Sequence, residues 1–139
     1  MKLHNEIGTK EDLARYRIDM SKDTLKSAIA LLDIQDYRGA NNRAYYAIYY
    51  AISAVHALEG KAYKKHKDAL SNFNKNYVNE GKFPKKYGRQ INTAENIRHE
   101  SDYDDFYVAT KKDVLQMIET STELIELIEE YCNQETNGK

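Results

Sequence analysis

The sequence predicts an all-α fold, an antiparallel up-and-down helical bundle of four main helices plus one short helix. Three observations lead there. Glycine is scarce at six residues and proline occurs once, at Pro84, so breakers are too few for a turn-rich sheet protein. Apolar residues recur at helical spacing through most of the chain. Finally, 139 residues suffice for one compact domain but not for two ordinary ones. The expected layout is a single helical domain over 1–139, with a core at about 10–132 and a frayed tail at 133–139.

Helix one is expected to begin at Thr9, where Thr9 and Asp12 form an N-cap pattern, and to end near Asp33–Gln35. Leu13, Tyr16, Met20, Thr24 and Leu31 form one stripe, and Ile18, Leu25, Ile29 and Leu32 the adjacent one. Helix two spans about Asp36 to Leu58 and stops at Gly60. Its Ala40, Ala44, Ala47, Ala51 and Ala54 make a ridge of small side chains that permits close helix approach. Tyr45, Tyr46, Ile48, Tyr49, Tyr50, Ile52 and Val55 flank that ridge. Apolar on most sides, this is the central helix.

A shorter helix at about Lys67–Asn79 turns Ala69, Leu70, Phe73, Tyr77 and Val78 inward. Glu80-Gly81-Lys82-Phe83-Pro84 breaks the chain, and helix four follows at about 84–99 with Tyr87, Ile91, Ala94 and Ile97 inward. The acidic, aromatic run from Arg98 to Tyr107 is expected to be an ordered loop. A Thr110/Asp113 cap starts the last helix, with Val114, Met117, Ile118, Ser121, Leu124, Ile125, Ile128 and Tyr131 toward the core. Glu119, Glu123, Glu126 and Glu130 line its solvated side.

Composition narrows the function. One Cys, Cys132, with four His precludes an internal disulfide and a Cys-rich zinc site, and fits a reducing compartment. Charged residues make up 31%, no run approaches a membrane span, and Met1–Glu6 lack the apolar core of a signal peptide. The expectation is a cytoplasmic protein with no membrane partner. Net charge is −1, but residues 61–89 hold nine Lys/Arg against two acids, whereas 90–109 and 110–139 each carry −4. That asymmetry suits either a basic binding surface or a Lys-rich solvated face.

Gly-rich phosphate loops, a Gly-x-Ser-x-Gly elbow and His-Glu-x-x-His are absent. His4, His56, His66 and His99 never pair at helical metal spacing, and Asp102, Asp104 and Asp105 lack the rest of a calcium loop. No metal and no cofactor is expected. Three features remain. Asn42-Arg43 is polar within an otherwise apolar central helix, and a charge there needs a partner or an opening. Lys64-Lys65-His66-Lys67 suits an anion at a helix start. Arg98 stands four residues before Asp102, either as a structural ion pair or as part of a site.

These pieces, in this order, resemble the prokaryotic HEPN domains. The resemblance rests on Asp36-Tyr37-Arg38 leading into Asn42-Arg43-Ala44-Tyr45-Tyr46-Ala47-Ile48-Tyr49. It continues through Lys65-His66, Gly81-Lys82-Phe83-Pro84, and Arg98 with Ser101-Asp102-Tyr103-Asp104. It implies a helical bundle that commonly dimerises, a cleft for nucleotide or RNA, and a small nucleotidyltransferase as partner. Many active members of that family are metal-independent ribonucleases, including toxins of toxin–antitoxin pairs, marked by an Arg and a following His with four to six residues between them.

This chain departs from that signature. The positions that would hold the Arg are Tyr49, Tyr50 and Ala51 before His56, Glu59, Gly60 and Lys61 before His66, and Asn92, Thr93 and Ala94 before His99. The leading expectation is therefore a nucleotide- or RNA-binding module, homodimeric and paired with a nucleotidyltransferase in a toxin–antitoxin-like pair. The alternative is a ribonuclease built on a nonstandard set of Arg43, His66 and Arg98. The expected site gathers Asn42, Arg43, Tyr46, His66, Arg98, Asp102 and Tyr103 in one polar cleft. That requires the short third helix, only about 20 Å long, to act as a crossing segment that returns helix four beside the start of helix two. Tyr45, Tyr46, Tyr49 and Tyr50 can stack on bases or pack the core and the dimer seam.

Overall fold

The computed structural model describes residues 8–137. The expectation of no leader at Met1–Glu6 and the last two residues of the tail lie outside them. The described residues form five α-helices and no strand: α1 (Lys10–Asp33), α2 (Tyr37–Leu58), α3 (His66–Phe73), α4 (Lys86–Tyr103) and α5 (Lys111–Asn137). A π-helical turn, Asn74–Val78, extends α3.

The caps follow the sequence. The Thr9 hydroxyl accepts from the Asp12 amide at 3.0 Å, and the Thr110 hydroxyl from that of Asp113 at 3.1 Å. Asp36 caps α2 by accepting from the Gly39 amide at 2.9 Å. Gly60, with φ 73°, takes the left-handed conformation after α2.

Helix α2 is the centre. Its five ridge alanines are fully buried, and both flanking helices tie to its backbone. The Ser21 hydroxyl of α1 donates to the Ala47 carbonyl at 2.8 Å, and that of Ser121 on α5 to the Ala44 carbonyl at 3.0 Å. Side chains of one or two heavy atoms bring three backbones this close.

The ends are fixed by polar ties. Glu129 of α5 accepts from Arg15 and Lys22 of α1, each at 2.7 Å, and this holds its carboxyl below the usual carboxylate range. Arg38 at the start of α2 donates to the Ser101 carbonyl near the end of α4. The Tyr87 hydroxyl at the start of α4 donates to Glu123 of α5 at 2.8 Å.

Four expectations need correction. The core face of α1 is Ala14, Ile18, Ser21, Thr24 and Ala28, while Leu13 and Tyr16 are exposed, because the Ala ridge admits a small-residue stripe more closely than a Leu/Tyr one. The Arg98–Tyr107 run is not a loop throughout, since α4 continues through Tyr103. There the Arg98–Asp102 ion pair, at 3.2 Å, and the Arg38 bond to Ser101 offset the poor placement of acids at a helix C-terminus. The last helix reaches beyond 132: residues 133–137 lie in α5, where the Asn133 side chain accepts from Arg15 at 2.9 Å. Glu123 is not a purely solvated member of its stripe but the acceptor for Tyr87 and Lys86.

Candidate functional site

Tyr46, half-buried on α2, is the hub of the predicted site. The Arg43 guanidinium lies 5.2 Å from its ring centroid, and that of Arg98 lies 6.0 Å away. One Arg98 nitrogen is 3.5 Å from the Tyr46 hydroxyl. The His66 ring meets the Tyr46 ring edge-on at 5.6 Å between centroids. Two arginines and a histidine, brought from α2, α4 and the start of α3, thus surround one phenol. The end of α4 does lie beside the start of α2, as the short-crossing argument requires.

The two arginines are held differently. Arg98 forms an ion pair with Asp102 one turn on, and its guanidinium lies 5.5 Å from the buried Tyr45 ring centroid. Arg43 donates twice to the Asn42 amide oxygen, at 2.9 and 3.2 Å, and has no carboxylate partner among the described residues. Of the two arginines, Arg43 is therefore the one not paired with a carboxylate among the described residues.

Two open cavities flank the cluster. One, about 560 Å³, is lined by Lys65, His66, Lys67, Glu95, Arg98 and His99, among others. The other, about 430 Å³, runs past Arg38, Asn42, Arg43 and Asp102. Burial, and then the positive charge of Arg98, lower the pKa of His66, so its imidazole is neutral near pH 7 and able to accept a proton. Burial pushes the Tyr45 phenol far up, and its hydroxyl has no partner, nor do the amide atoms of the buried Asn41.

Of the seven predicted residues, Asn42, Arg43, Tyr46, His66, Arg98 and Asp102 meet through this network. Tyr103 does not join it; it is 72% exposed and packs on His99 at 4.7 Å between centroids. The tyrosine run divides: Tyr45 is core, while Tyr46, Tyr49 and Tyr50 are half-buried, Tyr46 and Tyr49 against His66 and Tyr50 against those two rings. Sequence reasoning left Arg38 out of the cluster and named Tyr49 only within a tyrosine run that could stack on bases or pack the core. The Tyr49 ring lies 4.1 Å from that of His66, and the four-tyrosine run was the signal available for it. Lys65 and Lys67 were read as part of a basic entry, and they line the His66 cavity.

The described residues form a small helical module with a cationic, aromatic cluster near the start of its central helix. The HEPN domain model matches residues 14–131, and the chain belongs to the HEPN domain family. It is similar to a UPF0332 protein of Thermotoga maritima, 29% identical over 86% of this chain and 91% of that protein. It is also similar to a Methanocaldococcus jannaschii protein described as "Putative toxin MJ0605", 35% identical over 62% of this chain and 64% of the relative.

Proposed function

We propose that the chain is one cytoplasmic HEPN module that binds a nucleotide or RNA through phosphate at the Arg43–Tyr46–Arg98 cluster. It works as a homodimer and as the partner of a small nucleotidyltransferase in a toxin–antitoxin-like pair. The observation that carries the reading is the pair of guanidiniums set against one tyrosine ring, at 5.2 and 6.0 Å, with Arg43 lacking a carboxylate. The ties of α1 to α2, α2 to α4 and α4 to α5 support an up-and-down antiparallel order, which is what brings those arginines to one end. Binding to fluorescein-labelled single-stranded RNA tests the reading. Removing one cation from a phosphate lowers the slope of log K against log salt by roughly 0.7. Arg43→Ala should show that drop with an unchanged melting temperature, since Arg43 supports no other element. Absence of any binding at low salt would discard the reading.

A toxin-like role is supported by the description of the archaeal relative. Co-expression with the product of a neighbouring nucleotidyltransferase frame, followed by gel filtration, should give one co-eluting complex.

The second reading, a metal-independent ribonuclease using Arg43, His66 and Arg98, is favoured by one observation. His66 is held neutral beside an arginine, which is what a general base for a 2′-hydroxyl needs. If it acts so, cleavage in EDTA rises with pH and levels off above a pKa lower than that of an ordinary histidine. It disappears in His66→Ala. A rate that instead falls as pH rises from 5 to 7 would contradict the base role.

A further inference from the structure

On the far side of the Tyr49–His66 ring pair lies a third cavity, about 340 Å³, between α1, α2 and the 59–65 connection. Four tyrosines line it, Tyr16, Tyr49, Tyr50 and Tyr63, with Arg17 and Lys61 as its cations, Lys61 lying 3.9 Å from the Glu59 carboxylate, and no acidic side chain among the described residues in the lining itself. Arg17 is fixed there by donating to the Ser53 carbonyl at 3.0 Å. His56, 2% exposed, lies against the Tyr63 ring at 4.8 Å between centroids, and its Nε2 has no hydrogen-bond partner.

We infer that this cavity is a nucleobase subsite, taking one unstacked base of an RNA strand whose adjacent phosphate lies in the His66–Arg98 cavity.

The volume is within the roughly 300–1,000 Å³ of small-ligand pockets, and the lining is mostly aromatic with a few polar groups. Aromatic faces hold any base by stacking, while the cations and the missing acids select an anionic chain over a basic one. The Ser53 hydroxyl, which donates to the Tyr50 carbonyl at 2.8 Å, keeps its oxygen as an acceptor for a base edge, and the Tyr16, Tyr50 and Tyr63 phenols carry further polar groups. An aliphatic side chain of a protein partner would use neither these polar groups nor Arg17. Tyr49 lines this cavity and His66 the other, and their ring centroids lie 4.1 Å apart, so the two cavities adjoin at neighbouring side chains and one strand can reach both.

This inference rests on the phosphate reading above, and one titration separates the two. A labelled RNA tetranucleotide and the same tetranucleotide with one abasic residue are titrated against the full chain, against Tyr16→Ala and against Arg98→Ala. Tyr16 is 60% exposed, so its loss leaves the core intact. The abasic strand should bind the unmodified chain about tenfold more weakly than the intact one, and Tyr16→Ala should shrink that ratio. Arg98→Ala should weaken both strands alike. Equal binding of intact and abasic strands, with both weakened by Arg98→Ala, would overturn the base subsite and leave the phosphate site standing. No binding of either strand to the unmodified chain would overturn both.

Discussion

At the scale of single residues, buried histidine separates two roles. His66 sits at an opening and touches Tyr46 and Tyr49, whereas His56 is enclosed near the end of α2. Burial lowers the His56 pKa to about 4, with the neighbouring Asn72 side chain acting more weakly in the opposite direction. An unfolded chain takes up that proton near pH 6.5, so between pH 6.5 and about 4 the unfolded state binds more protons than the folded one. Stability from this group is complete above pH 6.5 and is lost as pH falls toward 4. The loss amounts to roughly 3 kcal/mol at ~1.4 kcal/mol per pKa unit. Urea denaturation at successive pH values should show that decline, and His56→Gln should flatten it over the same window. A wild-type profile level from pH 7 to 4.5 would refute it.

At the scale of elements, what the sequence revealed depended on whether one chain segment held the whole signal. Caps are local: Thr9 with Asp12 and Thr110 with Asp113 set helix starts that the structure reproduces. The Ala ridge of α2 is local too. Its counterpart on α1 is Ala14, Ile18, Ser21, Leu25 and Ala28, the same spacing as the alanines, but side-chain size drew attention to Leu13 and Tyr16 instead. Only the partner helix decides between those stripes. The end of α4 was hidden for a similar reason, because Arg38, sixty-three residues upstream, satisfies the Ser101 carbonyl. Six of the seven residues expected together do lie in one network, and of these Arg43, His66 and Arg98 stand out in the sequence against apolar helix faces. Tyr49 was harder to assign, since a tyrosine at helical spacing packs as readily as it binds. The close packing carries its own prediction. Ala47→Leu should cost at least about 1–3 kcal/mol, since α1 is held to that carbonyl through Ser21 at 2.8 Å. Leu at exposed Ile29 should cost well under 1 kcal/mol. Equal midpoints in urea for the two variants would show that the ridge does not govern helix approach.

At the scale of the whole molecule, the ground for expecting a dimer moves. The surplus of apolar residues on α2 is covered within the chain, because α1 and α5 bury its Ala ridge completely. Leu13, Tyr16 and Ile29 of α1 stay exposed, but the most exposed large apolar side chains lie elsewhere: Ile34 at 72%, Phe106 at 91% and Val108 at 76% exposure, with Tyr103 and Leu115 near the latter two in sequence. Ile34 closely precedes α2, and the 103–108 segment follows the Ser101 carbonyl that Arg38 grips, so these residues belong to the same end of the bundle. Contiguous apolar patches of more than a few hundred Å² are uncommon on monomers. A self-complementary contact made there would set two copies of the Arg43–Arg98 end against each other. Light scattering on the full chain should then give a mass near twice 16.2 kDa at micromolar concentration. Phe106→Asp should return the mass to that of one chain without lowering the melting temperature of the separated subunit, since Phe106 supports nothing in its own chain. A wild-type mass of one chain would remove the homodimer. A dimer untouched by Phe106→Asp would move the seam to another face, and with it the expectation that two phosphate clusters meet.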